Sequence, residues 1–250
     1  MAKTGITAVR DDSDTTSTGN VQTVLDLGEL GARISGLYSV SRSGNLIDVV
    51  EFSKGLGQVK TYTSGVGSYV RLSNDPVSDG GVSCMLGVFG GAASACYIRR
   101  DIIIPGDSAV GFEVWFAAVA NAGIIQGYFE HFDGAKCYIY QWAFNYTTGK
   151  LTIATLTEPL GHDVATISLY AQTYAFNKVK LIIDLAGHEY NRIQFNETVY
   201  SLKGHYPNDS GDLRGPYAEQ YVIGYGSAAG AAAWAIGKII TTQAEQLPVC

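Results

Sequence analysis

Residues 177–200 read NKVKLIIDLAGHEYNRIQFNETVY. In the first part of this stretch Val179, Leu181, Ile183 and Leu185 alternate with Lys178, Lys180 and Asp184. Successive side chains of a strand point to opposite faces, so this alternation predicts a half-buried strand with its aliphatic residues inward. Ala186-Gly187-His188 supplies a turn, and YNRIQF returns as a second strand. A helix would repeat its apolar residues at three and four positions instead, which this stretch does not do.

The same pattern extends in both directions. From Leu46 onward the chain is a series of short β-rich runs: VKTY, SYVRL, GVSCMLGV, ACYIRRDIII, GFEVWFAAV, IIQGYFEHF, AKCYIYQWAFNY, KLTIATL, ATISLY, then the pair above, ETVYSL, QYVIGY and AAWAIGKIITT. Turn signals separate them, among them NDP, DGG, FGG, PGD, FDG and TTG. Many strands joined by tight turns predict antiparallel pairing in two stacked sheets, an all-β sandwich. In GFEVWFA the apolar face is Phe112, Val114 and Phe116, which leaves Glu113 and Trp115 on a solvent or partner surface. In CYIYQWAFNY, Tyr138, Tyr140, Trp142, Phe144 and Tyr146 share one face, either as filling between the sheets or as a displayed stripe.

The first twenty residues, MAKTGITAVRDDSDTTSTGN, have no such pattern, and residues 1–45 read as an extended arm ahead of a body at 46–250. They also lack the basic and apolar regions of a secretory signal, so synthesis in the host cytoplasm without export is expected. GSAAGAAAWAIGKII is broken by Lys238 and falls short of the roughly 20 residues that span a membrane, so no membrane is expected as a partner. Charged residues make up 16% of the 250-residue chain, well below the ~25% usual for soluble domains. Seventeen Lys and Arg stand against 23 Asp and Glu, for a net charge of −6, so no basic stripe exists to meet nucleic acid. Cys84, Cys96, Cys137 and Cys250 form no CxxC pair and read as buried thiols, with a cross-strand bridge between Cys84 and Cys96 left open.

Three segments resemble the concanavalin A-like (laminin G-like) jelly rolls. FSKGLGQVKTYTSGVGSYVRLSNDPVSDGGVSCMLGV is similar to that family's Phe-x-x-Gly opening with its first strand and return strand. NKVKLIIDLAGHEYNRIQFNETVY is similar to its recurrent hairpin, and AAWAIGKIITTQ to the final strand that closes against the first. The resemblance implies a two-sheet antiparallel jelly-roll sandwich over roughly residues 46–243. It does not imply one function, because lectins, glycosidases, adhesion modules and virion proteins share this architecture.

No catalytic set is expected. The Glu-x-Asp-x-x-Glu run that resemblance to glycosidases would require is absent, and Glu130, His131 and Asp133 in YFEHFDG do not reproduce it. Four histidines, His131, His162, His188 and His205, occur without a G-x-S-x-G elbow. The loop HYPNDSGDLRGPY offers Asn208, Asp209 and Asp212 as oxygen ligands for a cation, but the same residues build ordinary turns, and no metal or other cofactor is assigned. The polar arm, low charge and lack of a catalytic set suggest a structural virion protein: a capsid decoration, head-fibre or tail-associated subunit that contacts other virion subunits or copies of itself through the arm. The alternative is a carbohydrate-binding or adhesion module that uses Glu113, Trp115, Tyr128 and Gln141 on one exposed face to meet surface glycans. A glycoside hydrolase ranks below both.

Overall fold

Among the residues that the computed structural model of the chain describes, sixteen strands carry nearly all the regular structure. Those residues are 44–76, 81–104, 106, 108–120, 122–159, 161–169, 175–211, 217–226, 231–245 and 247. The strands are β1 (Asn45–Glu51), β2 (Lys60–Thr63), β3 (Tyr69–Ser73), β4 (Ser83–Val88), β5 (Ala95–Ile102), β6 (Val110–Ala118), β7 (Ile124–Phe132) and β8 (Cys137–Asn145). They continue with β9 (Lys150–Ala154), β10 (His162–Thr166), β11 (Asn177–Asp184), β12 (Glu189–Phe195), β13 (Thr198–Ser201), β14 (Asn208–Ser210), β15 (Tyr217–Tyr225) and β16 (Ala232–Gln243). One short 3-10 turn, Phe52–Lys54, follows β1. No helix among the described residues is long and apolar enough to cross a membrane. The residues assigned to the extended arm, apart from Gly44 and Asn45, lie outside the described residues.

Two antiparallel sheets of eight strands result. Sheet I runs β13-β12-β11-β6-β16-β4-β3, with β1 pairing β16 beside β4. Sheet II runs β10-β9-β8-β7-β15-β5-β2, with β14 pairing β8 beside β9. The final strand β16 pairs with β1, Asn45 lying opposite Gln243 and Glu51 opposite Lys238, whereas the expected partner, the strand of the FSKGLGQVKTY opening, is β2 and pairs with β5 in the other sheet. The pair at residues 177–200 forms the β11–β12 hairpin, turning through His188, which holds a φ of 48°.

One contiguous apolar core lies between the sheets, and it contains the inward sets predicted for β6, β8 and β11. Phe116 of sheet I meets Trp142 and Phe144 of sheet II at ring distances of 6.1 and 6.2 Å. The aromatic face of CYIYQWAFNY is thus mainly core filling, not a displayed stripe: Tyr140, Trp142 and Phe144 are buried, and Tyr138 and Tyr146 pack against them partly exposed. Gly127 lies opposite Trp142 in the β7–β8 ladder because a Cβ there would come within 2.3 Å of the indole nitrogen. Tyr190 of β12 spans the sandwich. Its hydroxyl accepts from the Gln141 N–H at 2.8 Å and donates to the Ala154 carbonyl at 2.7 Å. Those groups lie where the edge of β8 passes from β14 to β9, so a sheet I side chain completes the ladder of sheet II.

Two local expectations change. The strand expected over ATISLY sits earlier, at His162–Thr166, because Thr166 already faces Lys150, the first residue of its partner β9. Cys84 and Cys96 do not lie on neighbouring strands of one sheet. The chain crosses between β4 and β5, so the two residues face the core from opposite sheets as free buried thiols. Burial, followed by the neighbouring Cys96, pushes the Cys84 thiol up to about 12.

Candidate functional site

The outer face of sheet II is built from alternate residues of five adjacent strands. The inward phase of each is occupied by core residues: Phe129 on β7, Tyr140 on β8, Val222 on β15 and Ile98 on β5. The opposite phase must therefore face out. It presents Lys60 and Tyr62 on β2, Tyr97, Arg99 and Asp101 on β5, and Glu219, Tyr221 and Tyr225 on β15. Next come Gln126, Tyr128 and Glu130 on β7 and Gln141 on β8.

Cross-strand register lines the tyrosines up. Tyr62 is opposite Tyr97 and stacks on it with ring centroids 4.9 Å apart. Tyr97 meets Tyr221 diagonally at 6.0 Å, and Tyr221 is opposite Tyr128 at 6.4 Å. Gln141 then lies opposite Tyr128. The result is an aromatic row crossing β2, β5, β15 and β7 with one diagonal step between β5 and β15, Tyr62 being exposed and the other rings half-buried.

Beside this row runs a row of carboxylates. Glu219 on β15 is directly opposite Asp101 on β5 and Glu130 on β7. Glu219 is fully buried, and both its oxygens are occupied: Oε1 accepts from Arg99 and Oε2 from the Tyr221 hydroxyl. Arg99 also donates to Asp101 at 3.1 Å, and Lys60 reaches Asp101 at 2.7 Å. The Lys60 hydrogen bond, with Arg99 second among the attractive partners, holds the Asp101 carboxyl below its ordinary value. Burial raises the Tyr221 hydroxyl, and the acceptor Glu219 and nearby Glu130 raise it further, so it remains a hydrogen-bond donor. Tyr128 is raised by burial and then by Tyr225, and donates to Gln126 Oε1 at 2.7 Å. Chemically this face combines flat apolar rings with amide and carboxylate groups at their edges, an arrangement that can stack on sugar rings and hydrogen-bond their hydroxyls.

The four residues expected to share one exposed face do not. Tyr128 and Gln141 are opposed on sheet II, whereas Glu113 and Trp115 lie on β6 of sheet I, facing away from them across the whole sandwich. Outward on β6 and outward on β7 are opposite directions, because the chain changes sheets between them. Glu113 is also buried, at 4% exposure, and accepts from Trp115 Nε1. Trp115 is half-buried on the outer face of sheet I, with Lys178 and Lys238 5.5 and 5.8 Å from its ring centre. Around it Lys180 pairs with Glu245 at 2.6 Å and Lys238 with Glu51 at 3.2 Å.

Of the candidate cation ligands, Asn208 and Asp209 fall in β14, and Asp209 pairs with Lys136 at 2.6 Å. Asp212 lies outside the described residues. No group of three or more His, Cys, Asp or Glu that could hold a metal occurs among the described residues. The residues that sequence reasoning passed over are Tyr62, Tyr97, Tyr221 and Glu219, and Glu130 is weighed there only as a catalytic group. For Glu219 and Tyr221 the signal was available in YAEQYVIGY, where Tyr217, Glu219, Tyr221, Ile223 and Tyr225 alternate with a core set.

No family model and no curated protein matches this sequence. Solved structures do match its fold. The cellulose-induced protein Cip1 superposes with a TM-score of 0.54 at 12% identity, over 81% of this chain and 100% of that one. The globular domain of T. cruzi calreticulin gives 0.50 at 10% identity, over 80% of this chain and 88% of that one. A carbohydrate esterase of the Shiga toxin-encoding bacteriophage phi24B gives 0.49 at 10% identity, over 80% and 99%. Identities this low speak to architecture alone. The described body of the chain is a concanavalin-like jelly roll.

Proposed function

We propose that the protein is a non-catalytic glycan-binding module and that the outer face of sheet II is its binding surface. The observation that carries this reading is the continuous row Tyr62, Tyr97, Tyr221 and Tyr128, flanked by Gln126, Gln141 and Glu130. An aromatic face removes the apolar side of a sugar from water, and the polar groups beside it fix the orientation. The occupied state of Glu219 supports binding over hydrolysis: a buried carboxylate that accepts at both oxygens is not poised as a nucleophile.

The test is affinity electrophoresis of the full chain on immobilised polysaccharides, repeated with Tyr97→Ala and with Trp115→Phe. Loss of the Tyr97 ring is expected to weaken binding by up to about tenfold, the worth of one aromatic contact. Trp115→Phe, on the opposite sheet, is expected to leave binding unchanged. Equal effects from both variants, or no retention on any polysaccharide, would overturn the reading.

A structural place in a virion is a second reading, favoured by the charged fraction of only 16%. A surface short of charge suits burial against neighbouring subunits. The two roles are compatible, since a displayed subunit can also adhere. Size measurement of the full chain by light scattering checks it: a closed oligomer or a higher assembly is expected, and a monomer at all concentrations argues against it.

A further inference from the structure

Resting on the glycan-binding reading, we infer that the ligand is an electrically neutral glycan chain, laid across the strands of sheet II and not along them. The direction follows from the register. The four tyrosines occupy four adjacent strands, so their row advances by one strand spacing at each step and covers about 14 Å in three steps of ~4.8 Å. One strand spacing is comparable with the rise of one pyranose along an extended glycan, so successive sugars fall over successive strands. A chain running along a strand would leave the row after a single ring.

The charge class follows from the ion pairs. The outward strand positions of sheet II carry three cations, Lys60, Arg99 and Lys150, and four acids, Asp101, Glu130, Glu219 and Asp163, among the described residues. All three cations are already paired: Lys60 and Arg99 with Asp101, Arg99 also with Glu219, and Lys150 with Asp163. Recognition of a uronate, sialyl or sulfate group calls for an uncommitted Arg or Lys, and this face holds none among those residues. Because the four acids outnumber the three cations by one, these positions keep a net negative charge, which weakly repels an anionic sugar. Hydroxyl groups suffer no such repulsion, and carboxylates with glutamine amides are good acceptors and donors for them.

Calorimetric titration at low ionic strength tests both parts. The neutral probes are cellohexaose, xylohexaose, mannohexaose and laminarihexaose, each with its shorter homologues, and the anionic probe is hexagalacturonate. The expected result is binding of at least one neutral series, tightening up to about the trimer or tetramer that the row can cover, with hexagalacturonate at least about tenfold weaker. Glu130→Lys, which places an extra cation beside the row, is expected to narrow that gap. Preference for hexagalacturonate, or neutral binding as tight for the monosaccharide as for the hexamer, would overturn this inference while leaving glycan binding intact. Silence from every probe of both classes would instead remove the glycan-binding reading itself.

Discussion

Glu113 shows how a single residue can be placed on the right face of its strand and still be given the wrong environment. Alternation with Phe112 and Val114 puts it outward, yet it is buried beside Trp115, Lys178 and Lys180 on β11, Lys238 on β16 and Glu245. Burial raises its carboxyl above the ordinary glutamate value, although the Trp115 hydrogen bond and then Lys180 and Lys178 pull it down. A raised native value means that the folded state binds the proton more tightly than the unfolded chain. Stability from this group is therefore complete below the unfolded value and lost as pH rises through the folded one. Glu113→Gln cannot ionise, so the stability of the wild type relative to this variant is expected to fall as pH rises from about 4 upward. Urea midpoints for the two proteins across that range check the sign. Parallel curves would mean that the lysines neutralise the group completely.

At the scale of elements, the informative feature is the shared edge of β8. It pairs with β14 over Cys137–Ile139 and with β9 from Gln141, and the Tyr190 hydroxyl from sheet I fills the gap. Tyr190→Phe keeps the ring in the core but leaves a buried N–H and a buried carbonyl without this partner. The expected cost is about 1–3 kcal/mol in equilibrium unfolding. Because Gln141 ends the tyrosine row, the same variant is expected to weaken glycan binding modestly. A change below about 0.5 kcal/mol would mean that water replaces the hydroxyl. The strand alternation of IIQGYFEHF and YAEQYVIGY was legible in the sequence, down to the placement of Tyr128 and Glu130 on one face. The pairing of Glu219 with Glu130 was not, since it joins residues far apart in the chain, and a shift of one residue in register would put either on the other face.

At the scale of the molecule, both sheets bury their inner faces in a single contiguous cluster that includes Phe112, Phe116, Phe129, Trp142, Leu181 and Trp234. Neither sheet can keep its apolar face covered once the other leaves. Unfolding of the body is therefore expected to be one cooperative transition, with tryptophan fluorescence and far-UV circular dichroism giving coincident denaturation curves. Two separated transitions would show that one sheet keeps its structure alone.

The sequence by itself determined the β class, most of the strands, and the inward residues of β6 and β11. These depend on side-chain alternation and turn chemistry, which are local. The tertiary structure alone decided which sheet each strand joins. That choice separated Glu113 and Trp115 from Tyr128 and Gln141, and gathered Tyr62, Tyr97 and Tyr221 beside the latter pair. The physical reason is that a strand's period tells inside from outside. Which outside is meant depends on hydrogen bonds to strands distant in the chain, and no local pattern encodes them.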